Sequence, residues 1–107
     1  MERSSDFEPY YAVIFTSIKN EEAEGYSEMA NYIQLLAEQQ EGYLGFESAR
    51  NELGISVSYW KSLEDIKNWK QQSEHQLAQK FGKATWYRFY KVRICKVERE
   101  YEHGSKT

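Results

Sequence analysis

The stretch YYAVIFTSI, residues 10–18, decides the fold class of this 107-residue chain. Its alternating positions are apolar on both sides, with Tyr11, Val13 and Phe15 on one side and Ala12 and Ile14 on the other. A short run of this kind predicts a strand that is covered on both faces. The rest of the chain, or a second chain, must therefore supply cover on both sides.

The segments after this strand predict a helix and then a hairpin. Residues 21–40 carry apolar side chains at spacings of three and four, which predicts a helix, and Gly42 suits its exit. Residues 43–51 and 55–61 alternate with a period of two and are joined by a short turn. This spacing predicts a β-hairpin.

A second helix and a last strand complete the pattern. Ser62 is a good N-cap with Asp65 three residues later, so a helix is predicted from Leu63 to a stop at Gly82. Residues 85–101 predict a strand whose alternation changes parity at Cys95, which a bulge or burial against a second chain would explain. The order is β-α-β-β-α-β, which predicts an α+β, ferredoxin-like fold with both helices on one face of an antiparallel sheet.

This fold implies one domain and a partner. Residues 9–101 are predicted to form the domain, between a flexible N-terminus (1–8) and a flexible C-terminal tail (102–107). Nothing in the chain remains to cover the sheet face opposite the helices. The sequence therefore predicts a homodimer that packs sheet on sheet through that face.

Composition excludes several classes of function. The net charge of −3 argues against a nucleic-acid partner, and residues 43–47 (YLGFE) only weakly resemble the aromatic pattern of RNA-binding sheets. No apolar run is long enough to span a membrane, and the first eight residues lack the apolar core of a signal peptide, so a cytoplasmic protein is expected. The single cysteine excludes internal disulfides and cysteine-based zinc clusters.

Two side chains in the second predicted helix are candidates for chemistry. His75 has a side chain suited to acid–base work, although a lone histidine on a helix is more often a surface residue. Trp69 lies six residues earlier, which is about 240° of rotation on an unbroken helix, so the two share a face only if the helix bends. The structural alternative for Trp69 is a core position stacked on Ile66.

Motifs for common cofactors are absent from the sequence. It contains no Gly-rich phosphate loop, no dinucleotide fingerprint and no Gly-x-Ser-x-Gly elbow. Neither histidine has a second metal ligand at a useful spacing, so no metal site is predicted.

Several segments together resemble the antibiotic-biosynthesis monooxygenase (ABM) family over residues 9–101. They are YYAVIF (10–15), MA (29–30), LAEQQEGYLGFES (36–48), GISVSYW (54–60), IKNWK (66–70), EH (74–75) and YKVRICKVEREY (90–101). The likeness is to small bacterial members of the family. It implies a dimeric α+β barrel, in agreement with the fold predicted from the periodicity.

The resemblance also implies an activity. Enzymes of this family often oxygenate polycyclic phenols or quinols with O₂ and need no metal or flavin. Such chemistry requires loss of a substrate proton, an oxyanion donor and a dry apolar cavity. The matching residues are His75 for proton transfer and Trp69 for hydrogen bonding or stacking, with Trp60, Tyr11 and Phe15 as substrate-binding residues.

Another branch of the family binds and degrades haem, which is the alternative cofactor. Its pattern has an Asn in the first strand and a His ten residues after the helical Trp. Here the first strand offers Phe15, Thr16 and Ser17, and the residue ten positions after Trp69 is Gln79. A third hypothesis is a non-catalytic dimer that binds a small ligand, because this fold serves many functions.

Overall fold

The computed structural model describes residues 7–82 and 85–107 and contains the six predicted elements. They are β1 (Tyr10–Lys19), α1 (Tyr26–Glu38), β2 (Tyr43–Arg50), β3 (Gly54–Trp60), α2 (Leu63–Phe81) and β4 (Tyr87–Val97). The strands form one four-stranded antiparallel sheet in the order β2-β3-β1-β4. The α+β, ferredoxin-like βαββαβ fold is confirmed, and the apolar run 10–18 lies inside the sheet between two neighbouring strands.

The strand register sorts the side chains of the sheet onto two faces, because cross-strand partners project from the same face. Tyr11 pairs with Trp60, which packs against Ala37 of α1 and Ile66 of α2. This row therefore lies on the side that both helices cover, the helix side. The other side, which we call the open face, carries the rows that contain Ala12, Ile14 and Thr16 of β1 and their partners.

The core lies between the helix side of the sheet and the two helices. Trp60 is the largest fully buried side chain, with 0% of its surface exposed. Tyr11, Val13, Tyr43 and Trp69 are partly buried and pack around the cluster that Trp60 forms with Ala37 and Ile66. Trp60 is thus the side chain that joins both helices to the sheet.

The predicted ends of α2 are confirmed. The Asp65 backbone N–H donates to Ser62 Oγ at 3.0 Å, and the Ser62 hydroxyl donates to Asp65 Oδ2 at 2.9 Å. These bonds satisfy groups that the first helical turn leaves unpaired. At the other end, the Gly82 N–H donates to the Ala78 carbonyl at 3.0 Å, and Gly82 has the positive φ typical of a helix stop.

The end of α1 differs from its prediction. The helix ends at Glu38 with Gln39 as its cap, so Gly42 does not form the exit. Gly42 instead has a φ of 85° in the turn that leads into β2, and its carbonyl accepts from the Lys61 N–H at 2.9 Å. Residues 39–41 separate Gly42 from the helix, so the prediction of Gly42 as the helix exit is wrong.

In β4 the apolar side chains change from one face of the strand to the other at Cys95, and no bulge at Cys95 causes this change. Pairing with β1 continues without a break from Phe89 to Val97, and the register shift lies between Ile18 and Lys19 of β1. The strand simply carries apolar side chains on both faces. Tyr90, Val92 and Ile94 project on the helix side, and Cys95 and Val97 project on the open face.

Substitution of Gly42 by alanine is expected to lower the free energy of unfolding by about 2–3 kcal/mol. The alanine would have to adopt a left-handed backbone conformation, and its side chain would disturb the N-cap of α2. A methyl group there would overlap the side chain of Asp65, the capping partner of Ser62. Urea denaturation measures the change. Gly104→Ala, at a positive-φ glycine in the exposed tail with nothing nearby, is the matched control and should change stability by less than about 0.5 kcal/mol. Equal effects of the two variants would contradict the prediction.

The described residues at the two chain ends, 7–9 and 98–107, form neither helix nor strand. Most of the predicted flexible N-terminus, residues 1–6, lies outside the described residues. Of the two described helices, neither combines the length and the hydropathy that a membrane crossing requires.

Candidate functional site

One group of aromatic side chains joins β3 to α2. The Trp60 and Trp69 rings are stacked with centroids 5.7 Å apart and an interplanar angle of 24°, and Tyr43 meets Trp60 edge-on at 5.7 Å. The Trp60 indole N–H donates to Ser58 Oγ at 2.9 Å. We call Tyr43, Trp60 and Trp69 the tryptophan core. Because Trp60 has no exposed surface, this arrangement serves packing and leaves its ring out of reach of a ligand.

A second group of aromatic rings lies towards the other end of β1, also on the helix side. Phe15 stacks on Tyr90 with centroids 5.4 Å apart and meets Tyr87 edge-on at 5.1 Å. Tyr26, the first residue of α1, meets Tyr87 edge-on at 5.8 Å. We call Phe15, Tyr26, Tyr87 and Tyr90 the aromatic cluster. It connects the start of α1 with β1 and β4.

The helices leave part of β4 uncovered beside this cluster. Tyr90, Val92 and Ile94 project on the helix side and are 61%, 47% and 53% exposed. We call these three residues the β4 strip. Small-molecule sites are lined mainly by apolar and aromatic side chains with a few polar groups, and the β4 strip with the adjoining cluster supplies side chains of these kinds on an exposed surface. The β4 strip is therefore the accessible part of the helix side.

Positive charge lies next to the aromatic cluster. The Arg50 guanidinium carbon is 5.4 Å from the Tyr26 ring centroid, and Lys19 Nζ is 4.7 Å from the same centroid. Arg50 also donates through Nη2 to Ser17 Oγ and through Nη1 to the Ser17 carbonyl. Ser17 is the one polar side chain that is fully buried among the described residues.

The environment of Tyr87 keeps its phenol protonated. Burial, followed by a hydrogen bond with the Tyr26 hydroxyl, raises the pKa of Tyr87 well above its usual value, and the nearby Arg50 charge only partly opposes this. The Tyr87 phenol therefore stays neutral, and a neutral phenol can donate a hydrogen bond to a negative oxygen.

The sequence candidates fall into three places. Trp60, Trp69 and Tyr11 are brought together around the tryptophan core, and Phe15 lies in the aromatic cluster. His75 is exposed on α2, which runs unbroken from Leu63 to Phe81, so the helix does not bend to bring His75 beside Trp69. The structure thus places the two proposed catalytic side chains apart.

Four residues of the site escaped the sequence reasoning: Tyr26, Arg50, Tyr87 and Tyr90. Tyr26 lies within the predicted helix 21–40 and Tyr90 within the predicted strand 85–101, and neither pattern marks them as site residues. The spacing of residues around Arg50 does not indicate that it belongs to the site, because its contact with Ser17 joins residues 33 positions apart. The high aromatic content was the one available signal, and it did not say which rings meet.

A polar depression of about 490 Å³ adjoins the site at Lys19. Its other lining residues are Asn20, Glu21, Glu22, Thr85 and Arg88. The lining is charged and unsuited to a flat apolar ring. Within residues 7–82 and 85–107, no group of three or more His, Cys, Asp or Glu side chains is placed to hold a metal ion.

Comparison with known proteins decides the family. The model of the family described as antibiotic biosynthesis monooxygenase matches residues 9–80. The chain belongs to this family. This ABM-family chain is also 48% identical over 94 residues to the uncharacterized protein YqjZ of Bacillus subtilis, covering 86% of the chain and 82% of YqjZ.

Solved structures share the fold of this ABM-family protein. One is a mutant of SnoaB, a cofactor-independent oxygenase from Streptomyces nogalater, with a TM-score of 0.66, 7% identity, and coverage of 88% of this chain and 97% of that one. Another is a mutant of MhuD with two manganese protoporphyrin IX molecules bound per active site, with a TM-score of 0.60, 19% identity, and coverage of 89% and 99%. At these identities the likeness establishes the fold.

The residues of this ABM-family protein do not fit a haem held between Trp69 and a histidine. His75 and His103 are both exposed, and His103 lies in the C-terminal tail. Trp69 is stacked on the buried Trp60, and no histidine takes part in the cluster around these rings. We therefore derive no step that passes through haem.

Proposed function

We propose that this protein is a monooxygenase that oxidises a small aromatic or quinol-like molecule with O₂ and needs no cofactor. The observation that carries the proposal is the aromatic cluster, whose Phe15–Tyr90 stack continues into the exposed β4 strip. A flat ring can stack on this surface while its oxygen atoms reach the phenols of Tyr26 and Tyr87. Family membership and the fold shared with a cofactor-independent oxygenase support the same reaction class.

The reaction requires no external reductant when the substrate is an anthrone-like phenol. A ring CH₂ group becomes a carbonyl group, one oxygen atom of O₂ enters this carbonyl, and the other leaves as water with the two hydrogens. The substrate supplies all four electrons, beginning from its deprotonated form. Neutral Tyr87 would donate a hydrogen bond to the negative oxygen of that form.

Oxygen consumption tests the proposal directly. Quinols and anthrone-like phenols are screened for O₂ uptake without added cofactor, and Tyr87→Phe is expected to lower kcat by about 100-fold, because it removes one oxyanion donor. Tyr59→Phe is the matched control, since Tyr59 lies on the open face and should leave kcat unchanged. O₂ uptake that is insensitive to Tyr87→Phe would contradict the placement of the site, and no uptake with any substrate would contradict the oxygenase.

The same assay tests the roles that the family resemblance assigns to α2. We retain proton transfer by His75 and hydrogen bonding or stacking by Trp69 as a proposal. Loss of turnover in His75→Ala and Trp69→Phe would support it, and full turnover in both variants would contradict it.

The alternatives are distinguished by two other results. A Soret band at one haem per chain that bleaches with reductant and O₂ would favour haem degradation. Tight binding of aromatic ligands without O₂ uptake would favour a non-catalytic binding module.

We further propose a homodimer through the open face, which carries an apolar middle between charged edges. One row across the four strands reads Glu47 on β2, Val57 on β3, Ile14 on β1 and Arg93 on β4. A two-fold axis that runs parallel to the strands, between the two sheets, would place this row over the same row of the second copy in reverse order. Glu47 then faces the partner's Arg93, and Val57 faces the partner's Ile14, so the open face is complementary to itself.

A further inference from the structure

We propose that Arg50, assisted by Lys19, binds a carboxylate group on the aromatic substrate, so that the substrate class is a flat aromatic acid. The inference rests on the proposed function, because it concerns a ligand at the same aromatic cluster. Its physical basis is a guanidinium group that is held in place by the protein, has unused donors and lies beside an aromatic surface.

The protein fixes the position of Arg50 in three ways. Its Nη2 donates to the fully buried Ser17 hydroxyl, its Nη1 lies 3.5 Å from the Ser17 carbonyl, and its carbon lies over the Tyr26 ring. Gly54, which pairs with Arg50 across the hairpin, has no side chain, and a methyl group there would overlap the guanidinium. A guanidinium already held in one place loses little further freedom when a ligand binds.

Arg50 keeps donors for a ligand. Its two bonds to Ser17 use two of the five guanidinium N–H groups, and the residue itself is exposed. In the described parts of the chain neither Arg50 nor Lys19 forms an ion pair, although Glu21 and Glu22 line the depression that Lys19 borders. A carboxylate is the group whose two oxygens match the planar donors of arginine.

The charge and the rings are close enough to recognise one molecule. Arg50 and Lys19 both contact Tyr26, Tyr26 contacts Tyr87, and Tyr87 contacts Phe15. A ring on Phe15 and Tyr90 would therefore direct a carboxylate towards the two cations. Neutral rings of the same size would gain only the stacking contacts.

A matched pair of ligands tests the inference by calorimetry at neutral pH. Naphthoate and the corresponding naphthol share a ring system and differ in charge. The wild-type protein is expected to bind naphthoate about 10- to 100-fold more tightly, as a charge-assisted hydrogen bond allows. Arg50→Gln and Gly54→Ala should both remove this preference and leave naphthol binding unchanged. Acetate should not compete, because it lacks the ring.

Controls separate the site from general charge and from misfolding. Arg99→Gln changes the net charge as Arg50→Gln does and should keep the preference. Arg99 follows the end of β4 that pairs with the start of β1, whereas Arg50 contacts Ser17 near the other end of β1. Gly54→Ala retains the arginine and displaces only its flexible end, so it remains informative if Arg50→Gln folds poorly. Equal wild-type affinity for the two ligands, binding of neither, or a preference that survives in Gly54→Ala would overturn the inference. None of these readouts depends on O₂ uptake, so the proposed reaction stands or falls separately.

Discussion

Replacement of Trp60 by alanine is expected to lower the free energy of unfolding by about 3–5 kcal/mol, the range for a large aromatic side chain removed from a core. Trp60 is fully buried, stacks on Trp69, meets Tyr43 edge-on and packs against Ala37 and Ile66. Its loss would leave a cavity between the sheet and both helices. The total stability of a domain this size is about 5–15 kcal/mol, so the variant would be close to unfolding at physiological temperature.

Urea denaturation at a fixed protein concentration measures this effect, because the proposed dimer would also contribute to stability. Trp60→Phe keeps a ring and loses the N–H that donates to Ser58, so it should lose clearly less than the alanine variant. Trp86→Ala removes the same type of side chain from a partly exposed position and is the matched control. If Trp86→Ala were as destabilising as Trp60→Ala, the tryptophan core would not be the centre of the fold.

Reversal of charge at Glu47 is expected to weaken the proposed homodimer by about 100-fold, because it places an arginine opposite the partner's Arg93 at two symmetric positions. The double variant Glu47→Arg, Arg93→Glu exchanges the two charges and should restore dimerisation to within about tenfold of the wild-type value. Sedimentation velocity over a dilution series gives the dissociation constants. Only an arrangement that brings β2 over β4 predicts this rescue.

Two further measurements keep the charge reversal interpretable. Glu47 also accepts from the Tyr59 hydroxyl at 2.7 Å, a bond that contributes most to raising the pKa of Tyr59, so Tyr59→Phe shows what its loss alone does. The single cysteine, Cys95, lies on the open face and is exposed in one chain, so its reaction with a thiol reagent should slow when the dimer forms. A wild-type protein that sediments as a monomer at micromolar concentration would contradict the dimer.

Much of the fold followed from local sequence patterns. The period of two in residues 43–60, the apolar run 10–18 and the Ser62–Asp65 cap each depend on interactions within one element or one turn, which neighbouring residues determine. The exit of α1 was misplaced because Gly42 suits both a helix stop and a later turn. Of the two explanations for the change of parity in β4, the bulge is wrong because pairing with β1 continues through Cys95, and burial of the open face against a second chain stays a prediction.

The candidate site was much less accessible from the sequence. The resemblance assigned Trp60, Trp69, Tyr11 and Phe15 to the site, and their roles there stay predictions. The structure places the first three around the tryptophan core and Phe15 in the aromatic cluster. Arg50, Tyr26 and Tyr87 were not named as site residues, since they meet only when the β1–β4 register and the start of α1 are fixed together.

The sequence by itself determined the order of elements, the helix cap and the family, because these depend on residue spacing along the chain. The tertiary structure alone decided that Trp60 is buried, that Arg50 reaches Ser17 33 positions away, and that His75 is exposed on an unbroken helix. The physical reason is that contacts between distant residues follow from strand register and from which side of each helix meets the sheet. Those features are set by the packing of all elements at once.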